Sequence, residues 1–267
     1  MSLALGLGLG LPFGGLDFSP ARLFAANEPG FWGEVAPAYL WQDTARTTPV
    51  TADGDPVASW QLNTATGVIY ATQSTAGNRP IYKASAGLHW LEFDGATSNR
   101  WLVTPTITPG TNMAQVFAGV RKLSDAASGV ILETSVNFNV NNGAILMTAP
   151  NSVGASYSYG SMGTLNRAAT YTNAAVAAPN TSILAGLSQI STDTLLLRVN
   201  GAQVASTILD QGTGNYLAYP LYIGSRGGTT SPFNGRIYGL IVRFGANLSA
   251  AQITQAESWM NQRTRAY

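Results

Sequence analysis

Between residues 216 and 260 the chain lays down two strands, a glycine-rich turn and a capped helix in close succession. No other stretch restricts the fold as much. It opens with Tyr216-Leu-Ala-Tyr-Pro-Leu-Tyr-Ile-Gly-Ser-Arg226, turns through Gly227-Gly228, and continues as Phe233-Asn-Gly-Arg-Ile-Tyr-Gly-Leu-Ile-Val-Arg-Phe244. Ile237, Leu240, Ile241, Val242 and Phe244 mix alternation with continuous apolar character, as expected of a strand buried in a sandwich. Ser249, followed three residues later by Gln252, has the spacing of a capping box. Ile253, Ala256 and Met260 give the predicted helix one apolar face.

Upstream, turn signals separate runs that read as strands over 114–121, 129–134, 136–140, 143–148, 182–190, 194–200, 202–208, 220–225 and 235–244. Asn200-Gly201 suits the type I′ turn of a two-residue hairpin. Leu88-His-Trp-Leu-Glu-Phe-Asp-Gly-Ala reads as the first regular strand. Leu91, Phe93, Asp94 and Gly95 match the leucine-x-phenylalanine-aspartate-glycine of laminin-G-like jelly rolls. With the asparagine-glycine hairpin and the closing strand and helix, residues 88–260 resemble that concanavalin-A-like superfamily. The resemblance implies an all-β, concanavalin-A-like jelly-roll sandwich with a short C-terminal helix. Many members carry an acidic residue three after the glycine; Ser98 stands there, which weakens any inference of calcium in this turn. Elsewhere Asp210, Asn215 and Asn234 could supply oxygen ligands in the loops. No cofactor and no metal site are expected.

Composition narrows the function. Charged residues are 10% of the 267 and apolar residues 45%, which fits a folded, loop-rich chain rather than a disordered one. A net charge of +1 lacks the basic face a duplex nucleic-acid binder needs. Without cysteine there is no disulfide or thiolate site, and no apolar run reaches membrane-spanning length. The cations are twelve Arg and two Lys, and five of the Arg lie in the last 42 residues.

Catalysis is not expected. Glycosidases on such folds resemble one another in a glutamate-x-aspartate-x-glutamate strand; Glu92 and Asp94 fill two places, but Ala96 takes the third. Retaining hydrolysis needs two carboxyl groups roughly 5–5.5 Å apart as acid and nucleophile. His89, the single histidine, has neither a nucleophile elbow nor metal-ligand company, and reads as a rim or core residue.

The chain divides into an extended arm (1–16), a loop-rich lead-in (17–87), the jelly roll (88–248) and a helical tail (249–267). In the arm Leu3, Leu5, Leu7, Leu9 and Leu11 alternate strictly, followed by Phe13, with Gly6, Gly8 and Gly10 opposite. Burying five leucines contributes roughly 7–15 kcal/mol, against on the order of 11–22 kcal/mol to order eleven backbones. The arm is therefore expected to order only on a receiving surface: a partner subunit or, alternatively, the edge of its own domain.

The lead-in, with Pro, Thr and Asp around Phe31, Trp32, Tyr39, Trp41 and Trp60, reads as turns and short extended pieces. The glycine-leucine tail, Phe24-Ala-Ala-Asn-Glu-Pro-Gly-Phe-Trp32, the Asp43-to-Val57 run and the jelly roll together resemble bacteriophage and prophage virion proteins. That implies a virion protein assembled in the host cytoplasm, held to other virion proteins by Leu3, Leu5, Leu7, Leu9, Leu11 and Phe13. A homo-oligomer is expected, a trimer preferred. The leading expectation is a tail-associated adhesion protein with a lectin-like domain for host-surface carbohydrate. The alternative is a capsid or tail decoration protein without a ligand, and a glycan depolymerase comes third. Residues 149–181 are too long and glycine-rich for a tight connection and read as a binding loop with some strand in it, or alternatively as an ordinary edge strand carrying Tyr157 and Tyr159 on its surface. Tyr157, Tyr159, Asn215, Tyr216 and Arg226 are the candidate ligand contacts: tyrosine for a sugar's apolar face, Asn and Arg for its hydroxyls.

Overall fold

The computed structural model describes residues 18–95 and 97–267. The arm residues Leu3, Leu5, Leu7, Leu9, Leu11 and Phe13 lie outside the described residues. The lead-in forms β1 (Gly30–Glu34), β2 (Leu40–Trp41), β3 (Ser59–Thr64), β4 (Gly67–Thr72) and β5 (Ile81–Ser85). β6 (Leu88–Asp94), β7 (Leu102–Val103), β8 (Met113–Lys122), β9 (Val130–Thr134) and β10 (Ala144–Thr148) follow. Then come β11 (Ser156–Met162), β12 (Asn166–Thr172), β13 (Asn180–Gln189), β14 (Thr194–Val199) and β15 (Ala202–Thr207). β16 (Leu221–Ile223), β17 (Asn234–Arg243) and helix α1 (Ala250–Thr264) close the chain.

The strands pair antiparallel into a jelly-roll sandwich. One layer runs β15–β14–β13–β8–β17. The far edge of β17 is shared: β1 pairs along residues 239–243 and β6 along 234–237, with β5 beyond β6. The other layer runs β12–β11–β10–β9–β16–β7–β4–β3. A bridge from Trp32 to Asn63 joins the layers at β1 and β3, and β12 packs beside β14 and β15 at the opposite edge.

The apolar runs read in the sequence are sorted by the pleat. Leu240 and Val242 of β17, with Val116, Ala118 and Val120 of β8, face the core between the layers. Ile241, Phe117, Ile183 and Ala185 face outward into a second core beneath Ala256, Trp259 and Met260 of α1. Two-sided burial is why β17 reads as a continuous apolar run. The capping box fixes where α1 starts: Ser249 N–H donates to Gln252 Oε1 at 2.9 Å, and Gln252 N–H to Ser249 Oγ at 3.3 Å. Gly119 lets the helix approach, since a Cβ there would lie 2.6 Å from Thr264 Cγ2 and 2.8 Å from Met260 Sδ.

Two sequence expectations are corrected. Residues 136–140 are not a strand: the backbone turns after Ser135 (φ 74°), and Phe138 folds over the outer face of β9, β10 and β11 beside Val130, Leu146 and Met162. Of the two readings of 149–181, the binding loop gives way to strand, since β11 and β12 pair in continuous register from Ser156↔Thr172 to Met162↔Asn166, and β11 is not an edge because β10 pairs along its other side. The Asn200-Gly201 hairpin forms as expected, both residues at positive φ (49° and 81°).

Candidate functional site

Three of the five candidate contacts lie in the interior. β11 is paired along both edges, so Tyr157 and Tyr159 do project to one side, but that side is the core, where both are fully buried. Tyr157 Oη donates to Asn180 Oδ1 at 2.9 Å, and its ring lies 4.8 Å from the buried Lys122 ammonium. Tyr159 shares a hydroxyl chain with Ser188 (2.9 Å), Tyr216 (2.7 Å from Ser188) and Ser161 (2.6 Å from Tyr216). Buried hydroxyls need such partners, which makes these tyrosines packing elements rather than ligand contacts. Burial pushes the Tyr216 phenol up to about 12 and the Tyr159 phenol well above its ordinary value.

Arg226 is committed to structure as well. Its Nε donates to Glu133 Oε2 at 3.0 Å, and the Phe138 amide donates to the other oxygen of that fully buried carboxylate. Burial raises the Glu133 pKa, opposed by the Phe138 amide and the Arg226 guanidinium. Asn215 does stay exposed, lining a cleft of about 480 Å3 with Asn112, Ser191, Asp193 and Thr213. Asn234 lines a different cleft, so it and Asn215 do not converge on one cation. Among the described residues no group of three or more His, Asp or Glu side chains has metal-holding geometry. His89 Nδ1 is hydrogen-bonded to Tyr82 Oη at 2.7 Å, with the two rings stacked.

The sheet itself presents a better site. α1 covers only part of the outer face of the β13–β8–β17 layer, and the remainder opens toward β6 and β5. A cleft of about 550 Å3 lies there, lined by Lys83, Glu92, Asp94, Arg100, Asn234 and Arg236, among others. That volume falls within the ~300–1,000 Å3 typical of small-molecule sites. The alternation of β6 and β17 builds it: Leu91, Phe93 and Ile237 face the core, while Glu92 and Arg236 point outward. Register sets Arg236 opposite Glu92 on one side and opposite Arg121 on the other.

Arg236 lies over the Trp90 ring, its guanidinium carbon 4.5 Å from the centroid, and its Nε is 3.3 Å from Glu92 Oε2. Trp90 Nε1 donates to the same oxygen at 3.4 Å. Trp90 and Tyr238 are both buried and packed on each other, their ring centroids 5.8 Å apart. Lys83 pairs with Asp53 at 3.1 Å. Asp94 accepts from the Thr97 amide at 3.2 Å and from the Thr97 hydroxyl. The arrangement offers fixed donors and acceptors at close spacing, suited to hydroxylated ligands. Alternation signals the outward Arg236 and Glu92 in the sequence; nothing local signals Arg121 or Arg100 as their neighbours.

No family model and no curated relative matches the chain. Solved structures do share its fold. The receptor-binding domain of botulinum neurotoxin D superposes with a TM-score of 0.51 at 10% identity, covering 76% of this chain and 52% of that one. The serotype D binding domain gives 0.50 at 10% identity, with 76% and 50% coverage. The chain thus spans about half the length of those domains. The CBM40 of a Ruminococcus gnavus IT-sialidase, bound to alpha2,3 sialyllactose, gives 0.44 at 16% identity over 55% of this chain and 83% of that one. The fold is a jelly-roll β-sandwich. No helix among the described residues is long and apolar enough to cross a membrane.

Proposed function

We propose that this chain is a non-catalytic glycan-binding protein and that the cleft between β6 and β17 is its binding site. The observation that carries the reading is the set of outward polar side chains, Lys83, Glu92, Arg100, Asn234 and Arg236, on one open face of a jelly roll. Sugars are recognised by convergent hydrogen bonds, and the carboxylates here serve as acceptors. Glu92 is held by Arg236 and Trp90, which fixes its position as an acceptor. The jelly-roll neighbours with bound or receptor ligands are consistent with binding, at the level of fold.

We further propose that the protein belongs to a bacteriophage virion, tail-associated, and uses this site for host attachment. Support for that context comes from the sequence: the leucine–glycine arm and the resemblance of residues 24–57 to virion proteins. The test is binding of the labelled full chain to host-type bacterial cells and to a glycan array, with competition against intact virus. Saturable binding that blocks adsorption is expected. A folded protein that binds neither cells nor glycans, yet alters particle stability, would overturn the reading in favour of a decoration role.

A further inference from the structure

One row of the open face carries like charges side by side. Thr181, Arg121, Arg236, Glu92 and Ile81 lie opposite one another across β13, β8, β17, β6 and β5. Arg121 and Arg236 are directly opposed, and like charges at such positions are destabilising unless something neutralises them. The one carboxylate in the row, Glu92, is already paired with Arg236. Arg121 has only Thr181 Oγ1 as acceptor, at 3.4 Å, and its Nε makes no hydrogen bond. Arg100, at the rim of the cleft, also has an Nε without a partner. Among the described residues neither Arg121 nor Arg100 has an ion-pair partner.

We propose that this row selects a carboxylated sugar, with Arg121 and Arg236 as the anion-recognising residues. The inference rests on the glycan reading above and adds the ligand class. A guanidinium presents a planar fork of donors that matches a carboxylate edge to edge, and two neighbouring forks with unused donors favour an anion over a neutral hydroxyl. Local charge limits the anion. In the cleft lining Lys83, Arg100 and Arg236 stand against the carboxylates of Glu92 and Asp94, a single excess positive charge, with Arg121 beside Arg236 in the neighbouring strand. That suits a monoanionic sugar; a polyanion would be repelled by Glu92 and Asp94. The cost of placing Arg121 against Arg236 is recovered when the ligand carboxylate binds between them.

The experiment measures calorimetric binding of the full chain to matched pairs: 3′-sialyllactose against lactose, and a glucuronic-acid-terminated disaccharide against its glucose-terminated counterpart. A neutral and acidic glycan array runs beside it. The carboxylated member of at least one pair is expected to bind about tenfold or more tightly than its neutral match. Raising NaCl should weaken it. Arg121→Gln should remove most of that difference while leaving Tm unchanged or higher, because it relieves the like-charge pair. Arg121→Lys keeps the charge, loses the fork and should weaken binding less than Arg121→Gln does; it also covers the case in which the Gln variant fails to fold. Equal binding of both members, unaffected by Arg121→Gln, overturns the acidic class and leaves the glycan reading intact. Absence of binding to every sugar on the array overturns the glycan reading itself, and this inference with it.

Discussion

Replacing Tyr216 with Phe separates a core residue from a ligand contact. The change deletes one oxygen that is 2.6 Å from Ser161 Oγ and 2.7 Å from Ser188 Oγ. Ser188 keeps Tyr159 Oη at 2.9 Å, but Ser161 loses its hydroxyl partner in a buried setting. A buried group left unpaired costs about 1–3 kcal/mol, so the expected loss is about 2 kcal/mol. For a domain of this size that lowers Tm by about 4–8 °C.

The same substitution has a pH signature. Burial pushes the Tyr216 phenol up to about 12, against about 10 when unfolded. Its folded pKa is therefore raised, and the stability it lends the native state is complete below pH 10 and lost as pH rises toward 12. Phe has no such loss. The deficit of the variant at pH 7 should shrink by roughly 1.4 kcal/mol per pH unit above 10. Urea unfolding followed by tryptophan fluorescence at pH 7, 10 and 11.5 measures both effects, with sugar binding measured alongside. An unchanged midpoint at pH 7 combined with lost binding would refute the interior placement of Tyr216.

Other substitutions test other parts of the frame. Arg226→Gln leaves Glu133 buried without its cation, at a cost of about 3–5 kcal/mol near neutral pH. The penalty should be smaller at pH 4, where the raised Glu133 pKa lets the carboxyl become neutral, and thermal melts at both values check it. Gly186→Ala places a Cβ 2.4 Å from the Tyr159 ring inside the core, and the overpacking should cost about 1–3 kcal/mol by urea titration. Phe138→Ala uncovers the outer face of β9–β11 and should cost about 3 kcal/mol, leaving sugar binding unchanged.

What the sequence revealed follows how local each signal is. The closing strand and helix were legible because Ser249 and Gln252 sit three apart and the apolar run of β17 is continuous. The Asn200-Gly201 turn was legible because two residues carry it. The tyrosines show the limit. Alternation puts Tyr157 and Tyr159 on one side, yet which side is interior depends on β10 and β12 pairing at both edges of β11. The serine- and glycine-rich composition of β11 left loop and edge strand both open; Gly160 is in fact covered by Phe138, from a segment whose own alternation mimicked a strand. The binding face was illegible for a different reason. Glu92, Arg121 and Arg236 are far apart in the chain and become neighbours only through the register of β6, β8 and β17. Charge composition counts these residues but does not place them.

The central claim is the location of the site, and amide NMR of the full chain, titrated with the tightest sugar from the calorimetric series, tests it most directly. The account predicts shift changes concentrated at Lys83, Glu92, Asp94, Arg121, Asn234 and Arg236, with the Trp90 indole signal moving in step. Shifts concentrated instead at Asn112, Asp193, Thr213 and Asn215 would contradict it and move the site to the other cleft.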